Sequence, residues 1–259
     1  MSKAAIGIFD SGIGGTSIFN EIHNLLPSEN YIYFADSINA PYGDKSKDDI
    51  IALSIKNTEL LLEKNCKLIV VACNTATTNA ITILRENYDV PFIGIEPALK
   101  PAALNTKSKA IGILATKGTL SSALFHEATD LYSQNIRVIE QVGTGIVPLV
   151  ENGKINTPEM KILLQNYLKP MLEANIDYLV LGCTHYPYLI PLLLEILPKQ
   201  VKIIDSTLAV AKQTQTILEQ HKLSNLSNRK GHSIFYSNGN IRVLNSILQN
   251  RFTVQALDF

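Results

Sequence analysis

The sequence predicts an α/β fold: two similar α/β units with mostly parallel sheets covered by helices. Short apolar runs alternate with longer stretches of helical pattern. The runs are nearly continuously apolar rather than alternating with polar residues, as in strands buried on both faces. Three short motifs recur in the same order about 110 positions further along the chain, the mark of a doubled unit.

In chain order, strands are expected at residues 4–9, 31–34, 68–72, 92–95, 110–114, 137–140, 178–181 and 202–204. Helices are expected between them at 16–26, 48–64, 77–87, 158–173 and 187–197. The clearest echo pairs Val71-Ala72-Cys73-Asn74-Thr75 with Leu181-Gly182-Cys183-Thr184-His185. A second pairs Ile6-Gly7-Ile8-Phe9-Asp10-Ser11 with Ile111-Gly112-Ile113-Leu114-Ala115-Thr116, and a weaker third pairs Gly94-Ile95-Glu96-Pro97 with Ile203-Ile204-Asp205-Ser206.

Composition narrows the function classes. The 259 residues suffice for one large domain or two modest ones. With 46% hydrophobic and 18% charged residues the chain is a folded protein, not a disordered one. Its formal net charge of zero gives no footprint for nucleic acid or an anionic membrane surface. The start lacks the apolar core of a signal peptide, and runs such as 68–71 and 192–194 are far shorter than a membrane span. A soluble, cytoplasmic protein is therefore expected, with Cys66, Cys73 and Cys183 kept as thiols.

Each distinctive motif follows a strand, where ligands sit in open α/β sheets. Asp10-Ser11-Gly12-Ile13-Gly14-Gly15 offers a tight turn and free N–H groups suited to an anion such as a carboxylate. It is neither a full dinucleotide fingerprint nor a P-loop, and alone it reads equally as a turn with a helix cap. Cys73 and Cys183 occupy matching places, each between a strand and an apparent helix start, which can activate a thiol. A single cysteine is usually inert core, but two in equivalent units facing each other would aim into one crevice from opposite sides. That is the geometry of a two-base racemase: one base removes an α-proton and the acid opposite returns one to the other face. Neither cysteine has a C-x-x-C partner, so no metal site is expected. Cys66 reads as structural. His185 is the candidate to steer the Cys183 proton, and Asp10 that of Cys73 if the first and third strands are neighbours. From spacing alone Glu151 reads as a solvated acid at a helix end. His23, His126, His221 and His232 lack a comparable context.

These motifs, taken together with Phe34-Ala35-Asp36, Pro41-Tyr42-Gly43-Asp44-Lys45-Ser46, Gly94-Ile95-Glu96-Pro97-Ala98, Leu114-Ala115-Thr116-Lys117-Gly118-Thr119 and Leu181-Gly182-Cys183-Thr184-His185-Tyr186-Pro187, closely resemble the glutamate racemases of the aspartate/glutamate racemase family over nearly the whole chain. The resemblance implies two α/β domains, residues 1–97 plus 208–259 and residues 98–207, with the active site in the cleft between them. It implies interconversion of L- and D-glutamate with no cofactor and no metal, D-glutamate being destined for peptidoglycan. By position, Cys73 and Cys183 are the acid/base pair, with Asp10 assisting the first and Glu151 and His185 the second. Ser11, Asn74, Thr75 and Thr184 would hold the substrate's amino and carboxylate groups, joined by Tyr42, Gly43, Thr116 and Thr119. A homodimer fits the resemblance, but the sequence fixes no interface. Thr207 stands where similar proteins often carry Ala. The competing readings are an aspartate or other amino-acid racemase of the superfamily, a non-catalytic amino-acid-binding module, and a dithiol redox protein.

Overall fold

The computed structural model describes residues 4–259 and contains two parallel sheets. The chain opens with β1 (Ile6–Asp10), α1 (Thr16–Leu25), β2 (Tyr31–Ala35), α2 (Lys47–Glu63), β3 (Leu68–Val71), α3 (Asn74–Asn87) and β4 (Phe92–Gly94). It continues through α4 (Leu99–Asn105), β5 (Ala110–Ala115), α5 (Lys117–Leu120), α6 (Ala123–Tyr132), β6 (Arg137–Val142), α7 (Ile146–Glu151), α8 (Pro158–Glu173), β7 (Tyr178–Gly182), α9 (Ile190–Ile196) and β8 (Lys202–Ile204). It ends with α10 (Thr207–Gln220), β9 (Ser233–Ser237), α11 (Ile241–Ile247) and β10 (Thr253–Ala256).

The first sheet has the order β10-β9-β2-β1-β3-β4 and the second β6-β5-β7-β8. The sequence echo is thus an echo of topology: β2-β1-β3-β4 and β6-β5-β7-β8 are the same arrangement, with β3 and β7 in equivalent places. β1, β3 and β5 are buried at every position, which accounts for their unbroken apolar runs. Local signals start the flanking helices. The Ser46 hydroxyl accepts the Asp49 N–H at 3.1 Å to cap α2, and Thr157 accepts the Met160 N–H at 3.3 Å ahead of Pro158 in α8. One apolar cluster runs from Ile8, Phe19 and Tyr33 beside the first sheet, through Ile146 and Tyr186, to Leu164 and Leu181 beside the second. Among the described residues no helix is long and apolar enough to cross a membrane.

All eight expected strands are present with ends shifted by two residues or fewer. The expected helix at 187–197 is divided into a 3-10 turn, Tyr186–Leu189, and α9. Pro191 has no N–H to donate to the Pro187 carbonyl, a bond that a continuous helix would need there. β9 and β10 are additions to the expected set. β9 alternates buried Ser233, Phe235 and Ser237 with half-buried Ile234 and Tyr236, and β10 is a largely exposed edge strand. Neither offers a continuous apolar run.

Candidate active site

β1 and β3 are neighbours, pairing Phe9 with Val71, so the two loops at their carboxyl ends lie side by side. Asp10 ends β1 and turns inward, fully buried. Its Oδ2 accepts the N–H groups of Gly12 at 3.1 Å and Gly15 at 3.0 Å, folding the glycine loop around the carboxylate. The Tyr33 hydroxyl donates to the Gly12 carbonyl at 3.0 Å and pins the loop from below. The loop can approach the second half because Gly14 has no side chain: a Cβ there would overlap the His185 ring. Cys73 is the N-cap of α3, its sulfur accepting the Ala76 N–H at 3.5 Å. Cys183 follows β7 in the same way, with Thr184 and His185 leading into the 3-10 turn.

The two thiols line one cavity of about 10 Å³, roughly the space of one water. Ser11, Asn74, Thr184 and His185 share its wall, and Pro41, Tyr42, Gly43, Thr75, Thr116 and Val147 complete it. Asn74 is 2% exposed, and neither atom of its side-chain amide has a hydrogen-bond partner. A donor and an acceptor held dry against a cavity are poised for a polar ligand. Asp10, Glu151 and Thr119 stand behind this lining.

The surroundings of the two sulfurs differ. His185 Nδ1 lies 3.7 Å from Cys183 Sγ, and its Nε2 lies 2.6 Å from Glu151 Oε1. A carboxylate only accepts, so Nε2 donates to Glu151 and Nδ1 faces the sulfur. Burial opposes charge on His185, but the bonds to Cys183 and Glu151 outweigh it and hold the imidazole well above its ordinary pKa. An imidazolium is the partner a thiolate needs. Cys73 donates instead to Ser11 Oγ at 3.6 Å. Burial first, then the nearby Asp10 carboxylate, push its thiol pKa up, against the pull of the Ala76 N–H and Ser11. Among the described residues no hydrogen bond joins Asp10 to Cys73. Asp10 Oδ1 accepts the Thr184 hydroxyl from the other half at 3.3 Å. Asp10 thus bears on Cys73 through charge and loop shape.

Glu151 is not the solvated acid that spacing alone suggests. It does end α7, but its side chain is 13% exposed. Besides His185, its Oε1 accepts the Ile13 N–H at 2.7 Å and its Oε2 the Ser37 hydroxyl at 2.9 Å, both from the first half of the chain. Those partners are distant in sequence, so no local pattern reveals them. Tyr42 lines the cavity, and its hydroxyl donates to buried Asp36 at 2.5 Å, a carboxylate that also receives Asn39 and Asn238. Thr75, Thr116 and Thr119 form a hydroxyl cluster with spacings of 2.8, 3.0 and 3.3 Å, closing the halves over the cavity. Pro41, Val147 and Ser37 escaped the reading of the sequence. Pro41 opens one matched motif without being singled out as a site residue and Ser37 directly follows another, whereas Val147 lies in an apolar stretch with no polar signal. Cys66 is buried beneath Gly7 in β1, away from this cavity, and burial pushes its thiol pKa up to about 12. Among the described residues no group of three or more His, Cys, Asp and Glu side chains is arranged to hold a metal ion.

A family model described as Asp/Glu/Hydantoin racemase matches residues 6–214. The chain belongs to that family. Among its racemase relatives, the glutamate racemase of Ectopseudomonas mendocina is 45% identical over 249 residues, covering 95% of this chain and 94% of that protein. The crystal structure of Escherichia coli glutamate racemase in complex with L-glutamate and the activator UDP-MurNAc-Ala superposes with a TM-score of 0.88 at 33% identity, covering 99% of both chains. The glutamate racemase of Francisella tularensis in complex with D-glutamate gives 0.86 at 29% identity, covering 100% of this chain and 98% of that one. Two racemase structures therefore carry opposite enantiomers of one amino acid on this fold.

Proposed function

We propose that this protein is a glutamate racemase, interconverting L- and D-glutamate by two-base chemistry without a cofactor and supplying D-glutamate for peptidoglycan. The observation that carries the reading is the shared cavity: Cys73 and Cys183 line it from equivalent strand ends of two equivalent sheets. In one direction the sulfur of Cys183, deprotonated by the His185–Glu151 pair, takes the α-proton. The electron pair left behind delocalises into the substrate carboxylate, and the α-carbon becomes planar. The Cys73 thiol then gives its own proton to the opposite face. The reverse direction exchanges the roles. Ser11, Asn74, Thr75 and Thr184 receive the substrate's amino and carboxylate groups, with Tyr42, Gly43 and Thr116 shaping the lid and Thr119 bracing Thr116.

We divide the chain into domains 1–97 plus 208–259 and 98–207, supported by the return of β9 and β10 to the first sheet. The cytoplasm is the proposed compartment, supported by three free thiols. A homodimer is the proposed assembly, to be read by light scattering.

The test is a chiral assay of L-glutamate and L-aspartate side by side, with no added cofactor, in D2O. Glutamate racemises and gains deuterium at Cα. Turnover with retention of the α-hydrogen, or racemisation of aspartate alone, overturns the reading. Cys73→Ala and Cys183→Ala each lower kcat by at least about 10²–10⁴-fold while the far-UV spectrum is unchanged. Wild-type turnover in either variant removes that thiol from the mechanism.

A further inference from the structure

The first sheet has a second cavity at the end away from the thiols. It measures about 380 Å³, within the range of small-molecule sites. It lies at the starts of β9 and β10, where Ser233 pairs with Tyr31 and Thr253 with Ile234, whereas Asp10 and Cys73 are at the far ends of parallel strands. Its wall includes Lys230, Arg251, His23, His232, Ser233 and Phe252.

Three features of this wall point to an anion. Among the described residues neither Lys230 nor Arg251 has a carboxylate within ion-pair distance, so two cations face the cavity without a counter-charge. Glu29, the acid nearest in sequence to Tyr31, is turned to Lys67 at 2.5 Å. Ser233 borders the cavity and is 6% exposed, and its buried hydroxyl has no hydrogen-bond partner. His23 Nδ1 is buried and likewise unpartnered. A buried hydroxyl and a ring nitrogen left dry beside two cations lack the acceptor-rich group that would satisfy them together. Phe252 adds a flat apolar wall, packed edge-on to His23 at 5.4 Å with Arg251 lying over its ring at 5.6 Å.

We propose that this cavity is a binding site for a phosphate group, with Lys230 and Arg251 supplying charge and Ser233 and His23 supplying hydrogen bonds. Arg251 grips phosphate oxygens through its fork and Lys230 acts as a mobile point charge. The two sources of such a group are free phosphate and a phosphate monoester whose organic part covers Phe252. Neither involves the cavity between Cys73 and Cys183.

The test uses amide and imidazole NMR on the full chain, titrated with inorganic phosphate, with phenyl phosphate, and with sodium chloride at matched ionic strength. The groups facing His23 are Tyr31, Phe19, Phe252, Lys230 and Arg251, with His232 across the cavity. Burial, then Lys230 and Arg251, hold the His23 pKa below its ordinary value. A bound phosphate offsets the two cations, so the His23 pKa rises on saturation. Saturable shifts are expected at the Ser233 and Thr253 amides, and Lys230→Ala with Arg251→Ala weakens them at least about tenfold. Tighter binding of phenyl phosphate identifies a monoester, and equal binding identifies free phosphate; both support the site. Shifts reproduced by sodium chloride, shifts confined to other residues, or full affinity in the double variant overturn it. The two substituted side chains are exposed, so the variant keeps its fold and its glutamate turnover.

Discussion

Burial pushes the Asp10 carboxyl up to about 6, although the charge of His185 and the N–H groups of Gly15 and Gly12 pull the other way. The folded carboxyl therefore holds its proton between 3.8 and about 6, where the unfolded one has lost it. By linkage, stability contributed below that window is lost as pH rises through about 6. A shift of about two units corresponds to at most about 3 kcal/mol of stability lost by neutral pH. Asp10→Asn abolishes this loss while keeping an oxygen to accept the loop N–H groups. Its stability relative to the unsubstituted protein is expected to rise between about pH 4 and pH 8, read from urea midpoints at each pH. A difference constant across the range would mean that the carboxyl is not perturbed. Racemisation falls at the same time, and unequally in the two directions, because Asp10 lies on the Cys73 side. At this scale the sequence was informative where a residue's chemistry is local. Cys73, Cys183 and His185 closely follow strands, and each has one partner two or three positions away. Glu151 was misread from spacing because its partners lie 34 and 138 positions away.

The strands legible in the sequence are those buried on both faces, since only they produce unbroken apolar runs. β9 and β10 lie toward one edge of the first sheet and mix Ser, Thr and Gln with apolar residues, so periodicity passes over them. The segment that brings β9 back is fastened at the other end of the sheet by a buried ion pair. Lys67, just before β3, meets Glu29, just before β2, at 2.5 Å. Lys67 Nζ also donates to the Leu223 carbonyl at 2.8 Å, and Glu29 Oε1 accepts the Asn225 N–H at 2.7 Å. The pair is thus shared between two strands and the returning segment. Lys67→Met leaves the Glu29 carboxylate buried without its cation and is expected to cost about 3–5 kcal/mol. Adding Glu29→Gln removes the stranded charge and should recover part of that loss. Denaturant unfolding of the single and double variants measures both, and additive losses would show that the two side chains act independently.

The whole molecule is a closed clasp. Hydrogen bonds cross between its halves from Thr16 to Tyr188 at 2.5 Å, from Ser17 to the Thr184 carbonyl at 3.2 Å and from Thr75 to Thr116 at 2.8 Å. The cavity they seal has the room of a single water, so an amino acid enters only when the halves or the Tyr42–Gly43 loop part. In the proposed mechanism, closure excludes water from the sulfurs and so strengthens the charge interactions around the planar α-carbon. Gly43 is where closure depends most on an absent side chain. A Cβ at this position would stand 2.6 Å from the Thr116 Cβ, and the backbone of Gly43 itself is close to Gly118. Thr116 is held by Thr75 and Thr119, so it has little freedom to yield. Gly43→Ala is therefore expected to prop the loop outward without disturbing either sheet. Misplacing bound groups by about 1 Å can cost roughly 10²-fold, and kcat/KM for glutamate should fall on that scale. The melting temperature should stay close to that of the unsubstituted protein, and amide exchange at Thr75 and Thr116 should quicken as their shared bond loosens. Undiminished kcat/KM would mean that the protein performs its chemistry with the clasp open, and the sealed cavity would then have no part in catalysis.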